Sequence, residues 1–147
     1  MGSFTLAGFK FIYPEGIKWT CKRCGKCCRD IDVRSRHILL LPAEVSRIGK
    51  ISNMRKNQFS KKSEEELYQY EILKVKGNCL FLIGDQCSIY DYRPLVCRFY
   101  PFTLKSKGVT SIISIGDQGC PGIGSGPELM GGYYKQLALA ALKFLRD

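Results

Sequence analysis

Eight cysteines stand in a chain of 147 residues. Cys21, Cys24 and Cys27 recur at every third position, Cys28 follows directly, and Cys79, Cys87, Cys97 and Cys120 come later. Two-residue gaps let one loop turn several sulfurs onto a common centre. Thiolate is a soft ligand, suited to zinc or to iron–sulfur clusters. The competing use of so many cysteines, a disulfide scaffold, belongs to oxidising compartments and an export signal. Residues 1–14 carry neither a basic flank ahead of a long apolar run nor a small-residue cleavage site after one. The expectation is therefore a cytoplasmic protein whose cysteines hold metal.

Adjacent side chains usually diverge, so Cys27 and Cys28 are expected to serve different centres. Eight cysteines then divide into two sets of four, with the grouping of the other six left open. Zinc accepts four thiolates in closed structural sites, and a [4Fe-4S] cluster also takes four. The three-residue spacing is similar to the bacterial ferredoxin run, and Cys120 precedes Pro121 as the last ferredoxin cysteine precedes proline. Gly25, Gly77, Gly84, Gly116, Gly119 and Gly122 lie near cysteines, and Phe81, Tyr90, Tyr92 and Phe99 could shield a cluster from water. These features favour one or two [4Fe-4S] clusters, with zinc as the alternative. The lone histidine, His37, reads as a surface or loop residue. Arg93 and Arg98 bracket Cys97, where they can pair with Asp91 or Asp85, cap carbonyls, or donate to cluster sulfur.

Short elements must position these thiols. A strand is expected over 9–13, and a tight loop over 21–28 turning at Gly25. Ile31, Val33 and 38–41 are apolar. Pro42 and Glu44 suit a helix start, with Val45 and Ile48 facing a core, although Leu41 is a poor cap. Residues 55–62 read as a polar linker, 64–73 as a second helix, and 72–76 as a strand. A hairpin turning at Gly84 and Asp85 would place Cys79 and Cys87 near its ends. A helical turn over 95–99 and a second hairpin through Lys107 and Gly108 follow. Residues 116–126 read as a glycine-rich loop carrying Cys120. The last helix should start at Pro127 behind a Ser125 or Gly126 cap. Its stripe would run through Leu129, Met130, Tyr133, Leu137, Ala141 and Leu145, with Lys143 and Arg146 in the final turn. The fold class is small α+β: short β-hairpins and a few helices organised around cysteine-ligated metal, with a C-terminal packing helix, in a single domain over 1–147.

Hydrophobic residues at 45% can fill a core. No run of eighteen apolar residues occurs, so no membrane span is expected. The formal charge of +10 suggests an anionic partner. Eight thiolates against two divalent centres remove about four of those charges, and nucleic acid, through Lys18, Lys22, Arg23, Lys26 and Arg29, is the weaker reading. Nucleotide-binding glycine motifs and a serine–histidine–aspartate set are absent from the sequence.

The run Cys21-Lys22-Arg23-Cys24-Gly25-Lys26-Cys27-Cys28 closely resembles the signature of the CxxCxxCC family, named for zinc or iron chelation. A second block, from Gly77 through Cys79, Phe81, Leu82, Cys87, Ile89, Tyr90, Arg93, Pro94, Cys97, Arg98 and Pro101, resembles it too. The likeness runs over about residues 19–102, and Cys120 extends it. It implies metal at Cys21, Cys24, Cys27, Cys28, Cys79, Cys87 and Cys97, with Cys120 as the eighth ligand. The family includes a larger enzyme, the flagellin lysine methylase, with a similar cluster domain. Two roles are therefore expected to compete. One is a module whose centre is structural or transfers electrons to a redox partner. The other is a cluster-dependent enzyme acting on a protein substrate, in chemistry related to lysine methylation.

Overall fold

A computed structural model describes residues 1–32 and 34–146, and of Arg146 the backbone alone. Val33 and the Arg146 side chain, which the sequence puts in an apolar stretch and a last helical turn, lie outside the described residues. In chain order the early strands are β1 (Gly2–Leu6), β2 (Phe9–Tyr13), β3 (Lys18–Trp19) and β4 (Leu39–Leu40). Helices α1 (Pro42–Ser52) and α2 (Lys56–Phe59) follow. Next come β5 (Ser60–Lys62), β6 (Tyr70–Ile72), β7 (Lys74–Val75), β8 (Asn78–Cys79), β9 (Leu82–Ile83), β10 (Gln86–Cys87) and helix α3 (Leu95–Phe99). The chain ends with β11 (Phe102–Lys107), β12 (Thr110–Ile115), β13 (Ile123–Glu128) and helix α4 (Gly131–Arg146). Short strands with a C-terminal helix make this a small α+β protein, as the sequence implied.

The described chain falls into two compact units, residues 1–22 with 99–146, and residues 23–98. The first unit holds a sheet in the order β1-β2-β12-β11. Its two hairpins are antiparallel, and β12 runs parallel to β2 where they meet. Helix α4 packs against β1 and β2. Tyr134, Leu137, Ala138, Ala141 and Phe144 form its buried face, at the i, i+3, i+4 spacing of one helical side. Tyr134 stacks on Tyr13 at 4.8 Å between ring centroids and meets Phe102 edge-on at 5.5 Å.

This helix starts at Gly131, four residues later than expected from Pro127, and Leu145 is exposed. The reason lies in 123–128. Gly124 and Gly126 adopt φ of 90° and 81°, and β13 pairs with β3 in an extended ribbon. A Cβ on Gly122 would lie 2.0 Å from the Thr20 carbonyl oxygen, so only glycine lets the two segments approach. The expected loop over 116–126 therefore ends as a strand.

The second unit is built on Leu40, Val45, Ile48, Phe59, Ile72, Phe81 and Ile89, all buried. Its three-stranded sheet has the order β4-β6-β5, beside hairpins β7–β8 and β9–β10. No helix forms over 64–73. Glu64, Glu65 and Glu66 are consecutive and exposed, Leu67 is exposed, and Ser63 N–H donates to the Gln69 carbonyl to close the loop. The segment that follows pairs on both edges as β6.

Candidate metal centre

The three-residue spacing works through one turn. Gly25 sits in the left-handed region at φ 75°, and residues 26–28 wind into a single 3₁₀ turn. A Cβ at Gly25 would meet the Asp85 Cα at 3.3 Å, so the loop is seated against the β9–β10 turn. Arg29 secures the same contact by donating to the Gly84 carbonyl at 2.6 Å and to Asp85 Oδ1 at 2.8 Å.

The cysteines distribute unevenly. Cys21 and Cys120 belong to the first unit, and Cys24, Cys27, Cys28, Cys79, Cys87 and Cys97 to the second. In the first unit the Trp19 indole N–H donates to Cys120 Sγ at 3.3 Å. In the second unit Cys79 is itself part of the apolar core, and Cys28, Cys87 and Cys97 pack against that core. Cys79 and Cys87 do not share a hairpin, contrary to expectation. Cys79 pairs with Lys74 across β7–β8, whereas Cys87 pairs with Leu82 across β9–β10. The short link at Leu80 and Phe81 makes two tight turns out of the one the sequence suggested. Cys97 comes from α3.

Cys27 and Cys28 do not diverge. Their sulfurs are 3.9 Å apart, within the single 3₁₀ turn that carries both residues. Their proton affinities split accordingly. Cys27 is held below the usual thiol range, to about 6, first by the Cys28 contact and then, against burial, by Arg36 and Arg34. Cys28 is driven up by the same contact and by burial. Burial also raises Cys79 to about 11 and Cys97 to about 12, and raises Cys87. These shifts include mutual repulsion. Cys28 feels Cys27, Cys97 and Cys79, while Cys97 feels Cys27, Cys79 and Cys87. Five thiols from four segments thus converge on one region of the second unit.

The expected shields divide in two. Phe81 and Phe99 are buried, but Tyr90 and Tyr92 are half exposed. Arg98 caps the carbonyls of Arg93 and Asp91, and Arg93 lies 4.0 Å over the Tyr90 ring. His37 is an exposed residue paired with Glu71 at 3.0 Å.

Three groups escaped the sequence reading. Arg36 Nε donates to the Cys27 carbonyl at 2.7 Å. Arg34 donates to the carbonyls of Lys26, at 2.8 Å, and Arg29. Asp30 accepts from the Arg36 backbone N–H at 2.6 Å and from Lys74 at 3.0 Å. The signal available was an Arg-x-Arg pair just after a cysteine loop, a place where cations can offset thiolate charge. Glu44 is a different case. It was read as a helix-start acid, yet it is buried and joins two elements.

Among the described residues, no three cysteine, histidine or acidic side chains are gathered tightly enough to enclose a metal ion as they stand. The donor chemistry nevertheless fits a thiophilic metal. The donors are all sulfur, they come from separate segments, and cationic side chains face them. The 3.9 Å between Cys27 and Cys28 is close to the ~3.8 Å edge of a tetrahedron with metal–sulfur bonds of ~2.3 Å.

Comparison with known proteins agrees. The chain is 29% identical over 107 residues to an uncharacterized protein of Methanocaldococcus jannaschii, covering 65% of this chain and 51% of that one. It thus spans about half the length of the curated relative it matches. No solved structure matches the chain. A family model described as "Putative zinc- or iron-chelating domain" matches residues 20–121. That stretch contains all eight cysteines and both units' contributions to them, and the chain belongs to the CxxCxxCC family of zinc- or iron-chelating domains.

Proposed function

We propose that the second unit holds iron as an iron–sulfur centre ligated by cysteines, in a structural or electron-transferring role. The observation that carries this reading is the convergence of Cys27, Cys28, Cys79, Cys87 and Cys97 from four segments beside an apolar core. A cluster needs four thiolates, a dry surrounding and nearby donors. Phe59, Phe81 and Ile89 supply the apolar wall. Four of the five sulfurs would close a centre, and the fifth would be a spare or exchangeable ligand. Cys24 shares their loop, and Cys21 and Cys120 complete the family's cysteine set. When bound, the metal would supply one-electron chemistry or a cross-link between the cysteine loop, the two small hairpins and α3. The residues themselves exclude water and release protons as the raised thiols ionise onto the metal.

A second reading, one tetrahedral zinc, is favoured by the 3.9 Å separation of Cys27 and Cys28. In a cubane, cysteine sulfurs sit on different irons and stand further apart. One preparation decides between the two. Protein purified without oxygen from iron-replete cells should be brown and contain iron and acid-labile sulfide in similar amounts. Colourless protein with stoichiometric zinc and no sulfide would establish the zinc reading. A protein holding neither metal would overturn both.

A further inference from the structure

We infer that Arg36 is the positioning residue of the thiol cluster: its guanidinium pins the Cys27 carbonyl within the turn that carries Cys27 and Cys28. This inference rests on the proposed cysteine centre and goes beyond it, since nothing in the ligand set calls for a particular cation.

Arg36 is fixed from both ends. Its backbone N–H is held by Asp30 Oδ1 at 2.6 Å, and Asp30 is fixed by its own N–H to the Gly77 carbonyl at 2.7 Å and by Lys74 at 3.0 Å. The side chain then crosses to the Cys27 carbonyl at 2.7 Å. That carbonyl lies inside the 3₁₀ turn that carries Cys27 and Cys28, whose sulfurs are 3.9 Å apart. Beyond this bond the guanidinium continues inward, and its Nη2 atom is buried.

The physical need is plain. Four thiolates around a divalent metal, or around a cluster core of charge +2, leave about two negative charges in a half-buried place. A planar, permanently charged guanidinium can bond a carbonyl through one edge and face the sulfurs with the other. A lysine ammonium supplies the charge but not both bonds. Partners of this kind around a metal site typically change affinity by about 10–100-fold when removed.

The test compares Arg36→Met, Arg36→Lys and Arg55→Met with wild type. Arg55 is exposed and its backbone N–H caps α2 through Gln58, so Arg55→Met removes an equal charge away from the thiols. Metal loss to a chelator is timed on anaerobically purified protein. Arg36→Met should lose metal about tenfold faster or more, Arg36→Lys should recover part of the difference, and Arg55→Met should behave as wild type. If iron is present, Arg36→Met should also show a more negative reduction potential, which looser packing alone would not predict. A second arm uses metal-free protein: hydrogen exchange at the Cys28 and Arg29 amides, which close the 3₁₀ turn, should quicken in both Arg36 variants. Equal metal-loss rates for Arg36→Met and Arg55→Met would overturn the role at the centre. Unchanged exchange would overturn the lock on the loop. Wild-type protein that holds no metal sinks the proposed function instead, and the exchange arm still decides the lock.

Discussion

Glu44 is the most consequential acid in the second unit, and replacing it should cost more than its place at a helix start suggests. It is 2% exposed. Its Oε1 accepts from the Leu41 backbone N–H at 2.9 Å and its Oε2 from the Leu95 N–H at 2.6 Å. The first bond does what the Leu41 side chain cannot, satisfying the backbone ahead of α1. The second ties that helix to the start of α3, two residues before Cys97. Glu44→Ala would strand two buried donors at ~1–3 kcal/mol each. Relief from burying a carboxylate offsets part of that, leaving a loss of about 3 kcal/mol. At ordinary urea slopes the midpoint should fall by about 1–3 M, followed by circular dichroism on anaerobically purified protein. Glu44→Gln should lose less, since its carbonyl oxygen can keep one N–H while its amide faces the other. The pH dependence has a definite sign. Burial raises the Glu44 carboxyl above its ordinary value of 4.5, so the folded state holds the proton more tightly than the unfolded state. That contribution is complete below the ordinary value and disappears as pH rises through the raised folded value. Wild type should therefore lose ground against Glu44→Gln across this window as pH increases. A Glu44→Ala loss below about 1 kcal/mol, or a gap that moves the other way with pH, would refute the reasoning.

Other substitutions probe other links. Gly25→Ala should destabilise the protein by about 1–2 kcal/mol through its left-handed backbone. It should lower metal content as well, because the new Cβ presses on Asp85; unchanged melting and metal would count against the seated loop. Cys27→Ser and Cys28→Ser should lose metal from the same centre, since their sulfurs are 3.9 Å apart. Metal and sulfide analysis showing distinct, partial losses that add up in the double mutant would restore a picture of separate centres. Tyr134→Phe in the first unit should be neutral or mildly stabilising. The hydroxyl is buried with no hydrogen-bond partner among the described residues, and the ring stacking on Tyr13 survives; a drop in melting temperature would show that the hydroxyl has a partner.

The sequence made local structure legible where one residue type decides the backbone. Pro42 and Glu44 marked the start of α1, Lys107 and Gly108 marked the β11–β12 hairpin, and the turn over 95–99 appears as α3. It misled where a distant partner decides. Pro127 looks like a helix start, but β3 claims residues 123–128 as a strand. Residues 64–73 offered a weak helical stripe through Leu67 with Tyr70 or Glu71, but β4 and β5 claim 70–72 as the middle strand between them. The single hairpin imagined between Cys79 and Cys87 became halves of two, because Lys74 and Leu82 are their partners. The β3 and β4 partners lie far outside the local window that periodicity reads, and the partners of Cys79 and Cys87, five residues away, are set by strand register rather than by periodicity.

The same distinction separates what was visible of the site from what was not. Cysteine identity and spacing announce thiolate ligation, because that chemistry belongs to the residue itself. Grouping belongs to geometry. Divergence of adjacent side chains is a sound rule for extended chain, but Cys27 and Cys28 stand in a 3₁₀ turn behind a left-handed Gly25, and their sulfurs lie 3.9 Å apart. That turn has two of its carbonyls, those of Lys26 and Cys27, held by the arginines after the loop. A motif that reads as eight ligands is thus also a motif about charge. Unbound, the five gathered thiols repel one another's ionisation, and a cation relieves that repulsion in proportion to how many it touches. Arg36 sets one positive charge on the Cys27 carbonyl, and a thiophilic metal held by these sulfurs would supply the rest.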